Sequence, residues 1–110
     1  MLPESQSAVI ARNETWVGRA VTEPYEAGWA REAVIFVRAL KAVGAGGTPH
    51  VELSPDGMNW AAEGTSFPLP ASTDEVTFAR VSEFGNWLRL RVHVPEQSSV
   101  TVLITIHVKA

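Results

Sequence analysis

The run from Val100 to Lys109 leaves this chain the least freedom. Val100, Val102, Ile104, Ile106 and Val108 alternate without a break with Thr101, Leu103, Thr105, His107 and Lys109. A period of two gathers the first set on one face of an extended strand and would scatter it around a helix. Branching at Cβ argues the same way, since it costs a helix side-chain freedom and suits a pleated sheet. A strand with so apolar a face must bury it against a second layer.

Upstream, Leu88, Leu90, Val92 and Val94 alternate with Trp87, Arg89, Arg91 and His93. Pro95-Glu96-Gln97-Ser98-Ser99 supplies turn chemistry between the two runs, which are therefore expected to pair as a hairpin. Glu75 to Val81 is a third alternating run, and a three-stranded meander is expected to end the chain. The apolar faces of these strands assign Val76, Phe78, Leu88, Leu90, Val92, Val102, Ile104 and Ile106 to the core.

The first half gives weaker patterns. Glu14 to Thr22 has strand-like density of Trp, Val and Thr and stops at Pro24. Trp29 to Val43 fits both periods, because Ala30, Ala33, Val34, Val37 and Leu40 lie on one helical face. The crowding of Val34, Ile35, Phe36 and Val37 and the lack of a capping residue at Gly28-Trp29 favour a strand. It runs into the flexible Gly44-Ala45-Gly46-Gly47, after which Thr48 to Ser54 is expected as its antiparallel partner. Ser54-Pro55-Asp56-Gly57 is a turn in which Pro55 fixes φ, Asp56 bonds local amides and Gly57 accepts positive φ. Met58 to Ala62 returns as a short strand, and Glu63 to Thr73 reads as a long loop. The expectation is an all-β, antiparallel sandwich or jelly-roll-like fold of seven to eight strands. Residues 1–13 are an N-terminal arm or first edge strand, and 14–110 a single sandwich domain.

With 110 residues the chain can support one core and not two. Hydrophobic residues at 45% and charged ones at 19% exclude a disordered chain. A net charge of -3 argues against nucleic acid and against an anionic membrane surface as partners. No apolar run approaches the length of a membrane-spanning helix, and Met1 to Ala11 lacks the cationic and hydrophobic regions of a Sec signal. A particle-associated or cytoplasmic location is expected. The absence of cysteine removes disulfides, thiol nucleophiles and Cys-based metal sites.

Chemistry-bearing spacings are missing. His50, His93 and His107 form no metal-ligand pair in sequence, although His93 and His107 would be cross-strand neighbours in the expected hairpin. Glu23, Glu26, Asp56, Glu63, Asp74 and Glu75 lie toward loops and match no calcium loop. No G-x-S-x-G elbow or phosphate-cradling glycine loop is present. The chain is expected not to be an enzyme and to need neither cofactor nor metal. Trp16, Trp29, Trp60 and Trp87, with Tyr25, remain as core fillers or as an interaction platform. Trp29, Trp87 and Tyr25 are the candidates for interaction, with Trp87 the aromatic expected to be most exposed.

From Glu32 to Lys109 the order is a long strand, a Gly-rich loop, Ser54-Pro55-Asp56-Gly57-Met58-Asn59-Trp60, then Phe84-Gly85-Asn86-Trp87-Leu88-Arg89-Leu90-Arg91 and a final Val/Ile/Thr strand. This resembles the small β-sandwich proteins of tailed-phage particles, of decoration and tail type, in which an S-x-D-G-x-x-W hairpin and an aromatic-glycine turn into an L-R-x-R-V-like strand recur. The resemblance implies a non-enzymatic structural subunit of a virion or virion-like particle. Its partners would be a second copy of itself, as a homo-oligomer, or a capsid or tail protein lattice, engaged through sheet edges and the segment before Trp16. Similar short motifs occur in carbohydrate-binding sandwiches of discoidin type, so a sugar-binding module using exposed tryptophans is the alternative.

Overall fold

The computed structural model describes residues 5–44 and 46–110. Met1 to Glu4 and Ala45, and with them parts of the expected arm, signal-peptide reading and glycine loop, lie outside the described residues. The described residues form nine strands: β1 Ser5–Trp16, β2 Gly18–Val21, β3 Tyr25–Glu26, β4 Glu32–Val43, β5 His50–Ser54, β6 Ala61–Ser66, β7 Val76–Ser82, β8 Trp87–Val94 and β9 Ser99–Lys109. No helix occurs among the described residues, and hence none long and apolar enough to cross a membrane. Glu32–Val43, which fitted both periods, is strand.

Two antiparallel sheets form the sandwich. The first has the order β1-β9-β4-β7, and the second β2-β8-β5-β6, with β3 also beside β8. The pairings are nested: β1 with β9, β2 and β3 with β8, β4 with β7, β5 with β6. The gap between β2 and β3 is bridged by buried Thr22, whose N–H donates to the Leu90 carbonyl at 3.0 Å while its Oγ1 accepts from the Leu90 N–H at 2.9 Å. Counted as one interrupted strand, β2 and β3 leave eight strands wound as in a jelly roll.

This winding corrects three expected pairings. β8 and β9 do not form a hairpin, because Pro95 to Ser98 carries the chain from the second sheet to the first. Nor do β7, β8 and β9 make a meander, and β5 is not the partner of β4, which lies between β9 and β7. The reason is burial. Side by side, β8 and β9 would present two apolar faces to one missing layer, whereas folding over the turn sets Leu88, Leu90, Val92 and Val94 across from Val100 to Val108. All nine of those inward side chains are at most 2% exposed. Glu14 to Thr22 is likewise not one strand: the chain changes sheets at Val17-Gly18, where Gly18 takes φ 60°, a turn an L side chain would resist. β6 extends over Ala61–Ser66 into the expected loop.

The segment before Trp16 pairs along β9 from Ser5 onward, with Ile10, Ala11 and Trp16 buried. Asn13 at φ 54° sits in a bulge between Arg12 and Glu14, the usual device for bending an edge strand. In β7 the expected face is inverted. Ala79 and Val81 point into the core, while Val76 and Phe78 are 50% and 46% exposed. Phe78 lies opposite Phe36 of β4, and both rings face outward.

Candidate functional site

The two outer faces of the sandwich differ in chemistry. On the first sheet, Val76 and Phe78 of β7, Val34 and Phe36 of β4, Leu103 and Thr105 of β9, and Val9 of β1 occupy neighbouring outward positions in the registers. The Phe36 and Phe78 ring centres are 6.0 Å apart and tilted, and the Arg80 guanidinium lies 5.0 Å from the Phe78 centroid. Arg12, Arg38, Lys41 and Arg80 surround this patch, and among the described residues only Arg38 has an acid partner there, Asp74 at 2.7 Å. The Ser7 hydroxyl and the His107 imidazole meet at 2.7 Å beside it.

On the second sheet the outward positions of β8 are Trp87, Arg89, Arg91 and His93. The register sets Glu52 of β5 beside Arg89, His50 beside Arg91, and Arg19 of β2 beside His93. Glu52 is buried and shared: one carboxylate oxygen accepts from Arg89 Nε at 2.7 Å and the other from Arg91 Nε at 3.0 Å. Burial pushes its pKa up, but the two guanidiniums outweigh that and hold the carboxyl below its ordinary value. The Arg89 guanidinium also stacks over the Trp60 ring, 4.2 Å from its centroid.

The turn at Ser54 to Asn59 braces this face. Ser54 Oγ accepts from the Asp56 and Gly57 amides at 3.2 and 2.8 Å. Asp56 accepts from the Met58 and Asn59 amides and the Asn59 side chain at 2.7 to 2.9 Å. The Asn59 and Met58 amides, then the Asn59 side chain and Ser54 hydroxyl, hold the Asp56 carboxyl far below the usual carboxylate range. Gly57, at φ 80°, lies against Trp87, and a Cβ there would come 3.2 Å from the indole.

The three candidate interaction residues are not gathered into one site. Trp87 is half-buried on β8 because the turn covers its ring, and Trp29, at 40% exposed, is the more open indole. Tyr25 lies opposite inward-facing Leu88 and donates its hydroxyl to Gln6 at 3.2 Å, tying β3 to β1. His93 and His107 are on different sheets, so they are not cross-strand neighbours, and no group of metal-ligating side chains forms among the described residues. Glu63 and Glu75 accept from the amides of Thr65 and Ala71. Sequence reasoning did not single out the Glu52, Arg89, Arg91 and Trp60 cluster. Alternation alone put Arg89 and Arg91 on the polar face, but the adjacency of β5 and β8 has no local signal.

No protein-family model matches the sequence, and neither does any curated protein sequence. In structure the chain is similar to the SPBc2 prophage-derived protein YomS, with TM-score 0.64 and 14% identity over 100% of this chain and 96% of that one. It is also similar to the PBSX exported protein XepA, with TM-score 0.58 and 13% identity over 97% of this chain and 36% of XepA. A chain of infectious bursal disease virus, Gx strain, gives TM-score 0.53 and 12% identity over 97% of this chain and 32% of that one. The chain thus spans about a third of the two longer proteins. Across so little sequence identity, what is shared is the fold.

Proposed function

We propose that this chain is a non-enzymatic structural subunit of a phage-like particle that self-associates through the outer face of its first sheet. The observation that carries this reading is the outward Phe36–Phe78 pair with Val9, Val34, Val76 and Leu103 around it. Strands about 4.8 Å apart, rising about 3.3 Å per residue, give a four-stranded face of roughly 600–700 Å². That approaches the roughly 800 Å² per partner of a standard protein interface. The fold shared with a prophage-derived protein and a virus chain supports the class of assembly.

Charge selects the mode of contact. Two copies stacked face to face about a two-fold axis would oppose Arg12, Arg38, Lys41 and Arg80 with their own equivalents. The end of the sandwich where β4 begins carries Glu26, Asp56 and Glu83 with exposed Trp29 and Met58, against Arg31 as the loop cation. Seating that end on the basic, apolar face of a neighbour pairs unlike charges and covers both sets of apolar groups. Such a heterologous contact propagates as a ring or filament. Without cysteine its links contain no disulfide.

Light scattering against concentration tests this. A mass climbing beyond a dimer is expected, and Phe36→Ser with Phe78→Ser should return it to 11.9 kDa with the melting temperature nearly kept. A wild-type chain that stays at that mass at high concentration overturns self-association.

A further inference from the structure

The opposite face of the molecule carries a second constellation that self-association does not use. Trp87, Arg89, Arg91 and His93 all point outward from β8, spaced about 6.6 Å apart along the strand. Arg19 and His50 extend the cationic end sideways, and Trp60 thickens the aromatic end. Between Arg19, Val21, Arg91 and His93 lies a depression of about 360 Å³ floored by Ala20 and Val92.

The way Glu52 is engaged makes this more than a neutralised surface. A carboxylate placed merely to cancel one arginine pairs best in the bidentate mode, with both its oxygens on one guanidinium. Here each oxygen of Glu52 stops at an Nε, one on Arg89 and one on Arg91. Among the described residues, the terminal nitrogens of Arg89 and Arg91 make no hydrogen bond to protein. One buried carboxylate thus orients two guanidiniums and leaves an excess positive charge, to which Arg19 adds another. Preorganised guanidinium forks are suited to oxyanions.

We infer that this strip binds an acidic polysaccharide, with its sulfate or carboxylate groups on Arg91 and Arg19 and a sugar ring against the Trp60–Trp87 end. Aromatic side chains at one end and oriented cations at the other match a chain of rings that bears anionic groups at intervals. Glu26 beside Trp87 and Asp56 in the adjoining turn make the aromatic end unfavourable for phosphates flanking a stacked base. That favours a glycan, whose anionic groups can be spaced away from the ring at this end, over a nucleic acid, which carries a phosphate beside every base. The inference does not rest on self-association, whose contact reaches the second sheet at Glu26 and Asp56 beside Trp87 and leaves Arg19, Arg91 and His93 open.

Isothermal titration of the full chain with dextran sulfate, polygalacturonate, neutral dextran and oligo-dT, at one ionic strength, tests it. Binding to either or both acidic glycans is expected, the responding one showing whether sulfate or carboxylate is preferred, with none to neutral dextran. Arg19→Ala with Arg91→Ala should weaken binding about tenfold or more, and Trp60→Ala should weaken it several-fold, as truncation of central Arg and Trp contacts does elsewhere. Arg38→Ala with Arg80→Ala, on the first sheet, should leave it unchanged. Melting curves establish that each variant is folded. Equal affinity for oligo-dT, insensitivity to Trp60→Ala, or an equal loss in the first-sheet variant would overturn the proposal, as would absence of binding to both acidic glycans.

Discussion

β7 and β8 are neighbours in sequence, alternate equally clearly, and treat their two faces in opposite ways. β8 turns Leu88, Leu90, Val92 and Val94 inward and Arg89, Arg91 and His93 outward. β7 turns Ala79 and Val81 inward and leaves Val76 and Phe78 in solvent. The difference belongs to the sheets. β8 lies in a sheet whose outer face is charged, so apolar and buried coincide. β7 is an edge strand of a sheet apolar on both sides, and there the bulkier residues do not mark the core. Small side chains suffice inside because β7 lies at the sheet edge beside β4, whose fully buried Ile35 and Val37 fill the core next to Ala79.

Stability measurements can break this contrast. The largest effect is expected for Leu90→Ala in β8 and Ile104→Ala in β9, about 2–5 kcal/mol each by urea denaturation, since both side chains are fully buried. Next comes Glu52→Ala, at about 1–3 kcal/mol, because two charge-assisted hydrogen bonds are lost. Phe78→Ala should cost about 1 kcal/mol or less, in keeping with a half-exposed side chain, while reducing association. A Phe78→Ala variant as unstable as Leu90→Ala would show that β7 is turned the other way.

The smallest effect sharpens the second-sheet side of the contrast. Asp56 has a folded-state pKa depressed below its unfolded value, so its carboxylate stabilises the turn under Trp87 at neutral pH. That contribution is lost as pH falls from about 4 toward the folded-state value. The difference in melting temperature between wild type and Asp56→Ala should therefore be constant near neutrality and shrink below about pH 4. Glu52 also titrates in acid, but it is present in both proteins and cancels. A gap that widens on acidification would contradict the hydrogen bonds drawn to Asp56.

What could be read from sequence follows physical range. The class of fold, the identity of β8 and β9 as strands and the inward set on each were legible, because alternation is a property of a few adjacent residues. The Ser54 to Gly57 turn was legible for the same reason. Pairing was not, since turn residues at Pro95 to Ser98 serve equally for a hairpin and for a crossing between sheets. The Glu52 cluster was invisible because Arg89 lies 37 residues from the carboxylate that orients it.

The place of β9 has a consequence for how the molecule is made. β9 comes after the other described strands in chain order, yet it lies between β1 and β4 in the middle of its sheet. β1 is hydrogen-bonded to β9 alone among the described strands, so it waits unpartnered until β9 has been made. Until then the nascent chain presents a strand-wide slot, lined by the free edge of β4 and floored by the apolar side chains of the second sheet. Any extended apolar segment of the right length can enter such a slot. Chains cut short before Ser99 would meet one another through it, and a chain closes it only once its own β9 has been made.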